Sequence, residues 1–131
     1  MEKLWPGFQR TDGWEVLLMQ ISVLSSSGTT SILRVNGVLN AHTAPSLKEQ
    51  ITAQVSEGVI QFVIDLTQVD FIDSSGLAVL VSGMKNARAK GGNLKLAGVQ
   101  SNVMRVFELT LLDKVFTFFP DEQSALASFS A

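Results

Sequence analysis

Apolar positions along this chain recur alternately at the spacing of strands and at the spacing of helices. Residues 15–24 are mostly apolar and β-branched, which predicts a first strand, and Ser25-Ser26-Ser27-Gly28 supplies a turn after it. Ile32-Leu33-Arg34-Val35 and Val38-Leu39 predict a second strand broken around the turn-prone Asn36-Gly37. Thr43-Ala44-Pro45 reads as a helix start, with a hydroxyl at the cap and proline in the first turn. Leu47, Ile51 and Val55 then form one stripe at i, i+4 and i+8, which Glu57-Gly58 ends. Val59-Ile60 and Phe62-Val63-Ile64 are almost continuously apolar, the pattern of a strand covered on both faces.

After a short predicted loop, Asp73-Ser74-Ser75-Gly76 opens a second helix. Its inward side carries Leu77, Leu80, Val81, Met84 and Ala87, and Gly91-Gly92 stops it. Leu94-Lys95-Leu96-Ala97 predicts a strand, and Ser101 is placed to cap a third helix turning Val103, Val106 and Phe107 inward. Residues 115–119 predict a last strand, whose Phe116, Phe118 and Phe119 fill the core or its edge. Asp121 is placed to cap a final helix with Ala125, Leu126 and Phe129 on one side. Strands that alternate with single helices imply crossover connections. The expectation is therefore one α/β domain: a mixed, mostly parallel sheet of about five strands with about four helices.

Residues 1–18 mix Pro, Gly, Trp and charge without period and read as a leader; residues 19–131 read as the domain. The length of 131 residues suits one core. Formal net charge is −2 with both signs scattered, which gives neither nucleic acid nor an anionic membrane a basic patch to bind. Cysteine is absent and His42 is the one histidine, so disulfide, thiolate and His/Cys zinc chemistry are excluded. No apolar run nears the roughly 18–20 residues of a membrane span, and Gln20 and Ser22 interrupt the stretch that resembles a signal peptide. The expected compartment is the cytoplasm.

The segment from Val63 to Leu77 holds the candidate chemistry. It takes a buried strand to the edge where α/β folds place working groups and ends in a polar tetrad. Asp73 and Ser74 are both good capping residues, and capping alone explains their types. A second reading stands beside the first. A cap of this kind leaves a serine hydroxyl at the positive end of a helix, where a phosphate would meet backbone N–H groups and add one to two charges beside Asp73.

Gly37-Val38-Leu39-Asn40, His42-Thr43-Ala44, Val63-Ile64-Asp65-Leu66 and above all Asp73-Ser74-Ser75-Gly76-Leu77 resemble the STAS domains of anti-sigma-factor antagonists. The Gly91-Gly92 break and the stretch from Phe107 to Leu112 fit the same pattern, so the resemblance covers about residues 20–130. It implies a bacterial signalling protein and not an enzyme. Its unphosphorylated form would bind an anti-sigma factor that is also a serine kinase, and so free a sigma factor for transcription. The kinase would phosphorylate Ser74, with Ser75 as second choice, and a PP2C-type phosphatase would reverse it. ATP and magnesium would belong to the kinase, so no cofactor or metal is expected here. The implied partner surface comprises Asn40, His42, Thr43, Asp73, Ser75 and Gly76, with Ser82, Lys85 and Asn86 on the exposed face of the second helix. The family usually has Asp where this chain has Asn40, which keeps the size and loses the charge.

Other functions have weaker signals in the chain. His42 with Ser74 or Ser75 lacks the G-x-S-x-G elbow of a hydrolase, and no Walker motif offers a phosphate cradle. Asp65, Asp70 and Asp73 form a possible magnesium set, with Asp65 on the strand and Asp70 in the loop. A STAS adaptor or scaffold without a serine switch is the alternative within the family, and a small ligand-binding domain or enzyme is the alternative outside it.

Overall fold

A computed structural model describes residues 19–130 of the chain; the leader expected at 1–18 and Ala131 lie outside the described residues. Five strands form one sheet in the order β1-β2-β3-β4-β5: β1 (Met19–Ser27), β2 (Thr30–Leu39), β3 (Gln61–Ile72), β4 (Asn93–Ala97) and β5 (Phe118–Phe119). β1 is antiparallel to β2 and every other neighbouring pair is parallel, which makes the sheet mixed and mostly parallel as expected. Helices α1 (Ala44–Ser56), α2 (Ser74–Ala89) and α3 (Ser101–Leu109) are the crossovers between successive parallel strands, and α4 (Glu122–Ser130) follows β5. Among the described residues no helix is long and apolar enough to cross a membrane.

The alternation of side chains along each strand divides the molecule into two unequal layers. Leu33 and Val35 of β2, Phe62, Ile64 and Leu66 of β3, and Leu94 and Leu96 of β4 face one side. There they pack with Leu47 and Ile51 of α1, Leu80 and Met84 of α2, and Phe107 of α3. On the opposite face the fully buried apolar residues are Ile32, Val63 and Ala97, under Ala125 of α4, with Phe119, Leu126 and Phe129 partly buried around them. Asp121 caps α4 as expected, its Oδ1 accepting from the Ser124 N–H at 2.8 Å.

Several expected boundaries move. Ser25, Ser26 and Ser27 are the end of β1, and the turn is at Gly28, which takes the left-handed φ of +59°. Asn36-Gly37 does not break β2; a register irregularity absorbs Gly37 and its φ of +121°. The loop expected after the buried strand is instead more of β3, which runs to Ile72 and carries Asp70 on the strand. Ser101 is the first residue of α3, while Gln100 holds the cap position with its side chain turned to Thr67 O at 2.8 Å. The last strand is two residues long. A 3-10 turn, Leu112–Lys114, comes before it, and Phe116 and Phe118 meet Phe107 edge-on at 5.6 and 5.2 Å.

Candidate functional site at the start of α2

The backbone joins the two loops singled out in the sequence. At the carboxyl ends of β2 and β3, the Asp73 N–H donates to Leu39 O at 3.1 Å. Gly76 is buried against the same carbonyl: a β-carbon there would stand 2.7 Å from Leu39 O. The first turn of α2 is therefore pressed onto the end of β2, immediately before Asn40, and only glycine fits at Gly76. This joins the loop that begins at Asn40 to the helix start that begins at Asp73.

Each polar group in this corner has a defined task. Asp73 has extended backbone and caps α2, its Oδ1 accepting from the N–H groups of Ser75 at 2.9 Å and Gly76 at 3.2 Å. The Leu77 N–H donates to Asp73 O at 3.0 Å. The N–H groups expected to be free for a phosphate are thus largely spent on Asp73. Ser74 is the first residue of α2 and is exposed, while Ser75 is half-buried. A phosphoryl group on Ser74 would extend into solvent next to a carboxylate that already holds the helix end.

Asn40 shapes the neighbouring loop. Its Oδ1 accepts from the His42 N–H at 2.9 Å and the Thr43 N–H at 3.2 Å, closing an Asx turn. Thr43 occupies the cap position of α1 but does not cap it. Its hydroxyl donates to Val38 O at 2.8 Å and accepts from the Asn40 N–H at 2.9 Å, fastening the loop to β2. Ala44 N–H finds Asn40 O at 2.7 Å instead. The oxygen of Asn40 therefore does the structural work that an aspartate oxygen would do, without its charge.

Along α2 from Ser74 lies a surface groove of about 530 Å³, lined in part by Ser82, Lys85 and Asn86. The structure thus brings the expected face of the second helix and the serine into one depression. Thr110 and Leu112 form its other wall. The sequence reading did not single them out. They lie in the stretch from Phe107 to Leu112 that fits the family pattern, but nothing in that stretch marked them as part of a site.

Asp65, weighed as a magnesium ligand, is committed to the opposite face of the sheet. It accepts from the Thr67 N–H at 2.8 Å and from the Thr67 hydroxyl, and lies 3.6 Å from Arg34 Nε. Arg34 forks onto Glu122 of α4 at 2.7 and 3.1 Å. Burial pushes the Asp65 carboxyl up; hydrogen bonding to Glu122 and Thr67 and the charge of Arg34 more than offset that, holding it below the usual carboxylate range. This is a clamp for α4.

Comparison with known proteins agrees with that geometry. The STAS domain family model matches residues 20–125. An anti-sigma-B factor antagonist of Listeria monocytogenes is 40% identical over 82 residues, 62% of this chain and 71% of the relative. The crystal structure of an anti-sigma factor antagonist from Mycobacterium paratuberculosis matches with a TM-score of 0.77 at 29% identity, covering 86% of this chain and 95% of that one. The phosphorylated form of the Bacillus cell fate determinant SpoIIAA shares the fold, with a TM-score of 0.68 at 19% identity over 83% of this chain and 98% of that one. With the family match spanning most of the described residues and these relatives beside it, the chain belongs to the STAS domain family and, within it, to the anti-sigma factor antagonists.

Proposed function

We propose that this chain is a cytoplasmic, non-catalytic switch whose unphosphorylated form binds an anti-sigma factor with serine kinase activity and thereby releases a sigma factor. Phosphorylation of Ser74 ends the binding, and a PP2C-type phosphatase restores it. The carrying observation is the placement of Ser74, exposed at the first position of α2 and lining the groove that also holds Ser82, Lys85 and Asn86. A kinase reaches it without unfolding the domain. The product carries between one and two added negative charges beside Asp73. Because Asp73 already accepts from two of the N–H groups of the first turn, those donors are not free to neutralise the phosphate. The new charge is then felt by whatever lies over the groove, and like-charge contact at an interface is strongly unfavourable.

Incubation of the purified chain with the host's anti-sigma factor kinases and ATP, read by intact mass, tests the reading. The expected result is one added phosphoryl group that is absent from Ser74→Ala. Ser74→Asp is expected to bind the kinase at least about tenfold more weakly than wild type, since a buried like charge costs more than about 1.4 kcal/mol. An aspartate variant that binds as tightly as wild type overturns the switch. Binding with no mass gain under any kinase makes the chain an adaptor instead.

A further inference from the structure

We infer that two copies of this chain associate through the outer edge of β1, where Met19–Val23 pairs antiparallel with the same run of a second copy about an axis at Ile21. The inference is independent of the Ser74 reading. β1 is a terminal strand of the sheet and pairs with β2 alone among the described residues. A strand edge offers N–H and C=O groups to any other strand, and soluble proteins blunt such edges with charge, proline, short length or a bulge. The opposite edge strand, β5, is only two residues long. β1 has nine residues, none of them charged or proline. Its one register shift lies between Val23 and Ser25 and disturbs only the second half. Met19–Val23 stays regular, matched residue for residue with Gly37–Leu33 of β2. At the shift, the adjacent Val23 and Leu24 are 45% and 44% exposed, large apolar side chains left in water.

The order of residues in this run selects a second copy as the occupant. A twofold axis between identical strands makes residue i meet residue j while j meets i. Directly opposite residues of an antiparallel pair share one face of the sheet. With the axis at Ile21, that residue meets Ile21 of the second copy, Met19 meets Val23, and Gln20 meets Ser22. Met19 and Ile21 belong to the main core side and Val23 follows them by alternation, whereas Gln20 and Ser22 are exposed on the other face. Every apolar residue therefore meets an apolar one and every polar residue a polar one, and no charge faces its like. An axis moved by half a residue would set Met19 against Ser22 and Gln20 against Ile21, so the pattern fixes the register. Residues 1–18 match this edge less well, since they contain Pro6 and the charges of Glu2, Lys3, Arg10, Asp12 and Glu15.

Sedimentation equilibrium of the full chain tests this from about 10 µM to about 1 mM, because a strand-edge contact falls in the transient class that buries less than about 1,200 Å². A reversible monomer–dimer equilibrium is expected within that range. Gln20→Glu combined with Ser22→Glu sets glutamate opposite glutamate at both places and should weaken association about fivefold or more. Gln20→Lys combined with Ser22→Glu sets lysine opposite glutamate at both places and should associate at least as tightly as wild type. Both positions are exposed, and Glu at position 22 lies across from Arg34 of β2, so both double variants should melt within a few degrees of wild type. A full chain that stays monomeric at about 1 mM overturns the inference, and something other than a second copy then covers β1. A dimer that responds equally to the two charge patterns also overturns it, because the copies then meet through another surface.

Discussion

At Gly76 the first turn of α2 touches the end of β2 so closely that any β-carbon collides with backbone. The nearest atom is Leu39 O at 2.7 Å, a carbonyl that cannot rotate away as a side chain would. Gly76→Ala must therefore push α2 off the sheet, and overpacking of this kind costs about 1–3 kcal/mol. Urea denaturation should show the loss, and an unchanged midpoint would mean that the helix start has room to move. Asp73→Ala removes an acceptor of two N–H bonds and should cost about 1 kcal/mol, or a few degrees of melting temperature. Asn40→Asp behaves differently. Both bonds of the Asx turn use the Oδ1 atom, which aspartate keeps, so the melting temperature should hold. A destabilised Asn40→Asp protein would show that the amide nitrogen matters after all. The identity of these residues was legible in the sequence, but their division of labour was not. Thr43 has the right type and position for a cap, and only the nearby Val38 carbonyl draws its hydroxyl elsewhere.

Among the elements, β3 explains where sequence patterning stops being readable. Its buried positions on the main core side are Phe62, Ile64, Leu66, Val69 and Ile72, so the spacing of two lengthens to three at both later steps. Two register irregularities against β2 produce those slips, one between Arg34 and Asn36 and one between Gly37 and Val38. With its alternation broken, Thr67-Gln68-Val69-Asp70 reads as a loop although it is strand. The unpaired side of that extension is satisfied by side chains at the start of α3, from Gln100 at its cap to Thr67 O and from Asn102 to Asp70 O, both at 2.8 Å. No local rule foretells such long-range partners. The helices, by contrast, were legible because their apolar stripes are regular. The clamp between β2, β3 and α4 leads to a prediction about pH. Asp65 has a folded pKa below its unfolded value near about 4. Its contribution is therefore complete above that value and is lost as pH falls through the lower, folded one. Asp65→Asn should be less stable than wild type at pH 7, and the gap between their urea midpoints should narrow as pH drops below about 4. A gap that stays constant with pH would mean that the charge of Asp65 contributes nothing.

For the molecule as a whole, the decisive feature is that the sheet is covered unequally. One face is sealed by α1, α2 and α3 over a continuous core, whereas α4 buries only Ala125 fully against Ile32, Val63 and Ala97. Leu126 and Phe129 pack against that cluster only partly buried, and the rest of the hold on α4 is polar: the Arg34–Glu122 fork, and Lys95, which donates to Ser128 at 2.7 Å and lies 4.1 Å from the Phe129 ring centre. Little buried area and partly solvated ion pairs are the marks of a segment that opens by itself. Native-state hydrogen exchange should show α4 amides opening at a lower free energy than those of β3 residues 62–66, and opening more readily as salt screens the fork. Arg34→Met should widen that difference and leave kinase affinity unchanged, because Ser74 and its groove belong to the layer on the other face. Equal protection of α4 and β3 would show that the two layers unfold as one. A loss of kinase binding in Arg34→Met would show that the helix on the far face reports to the site.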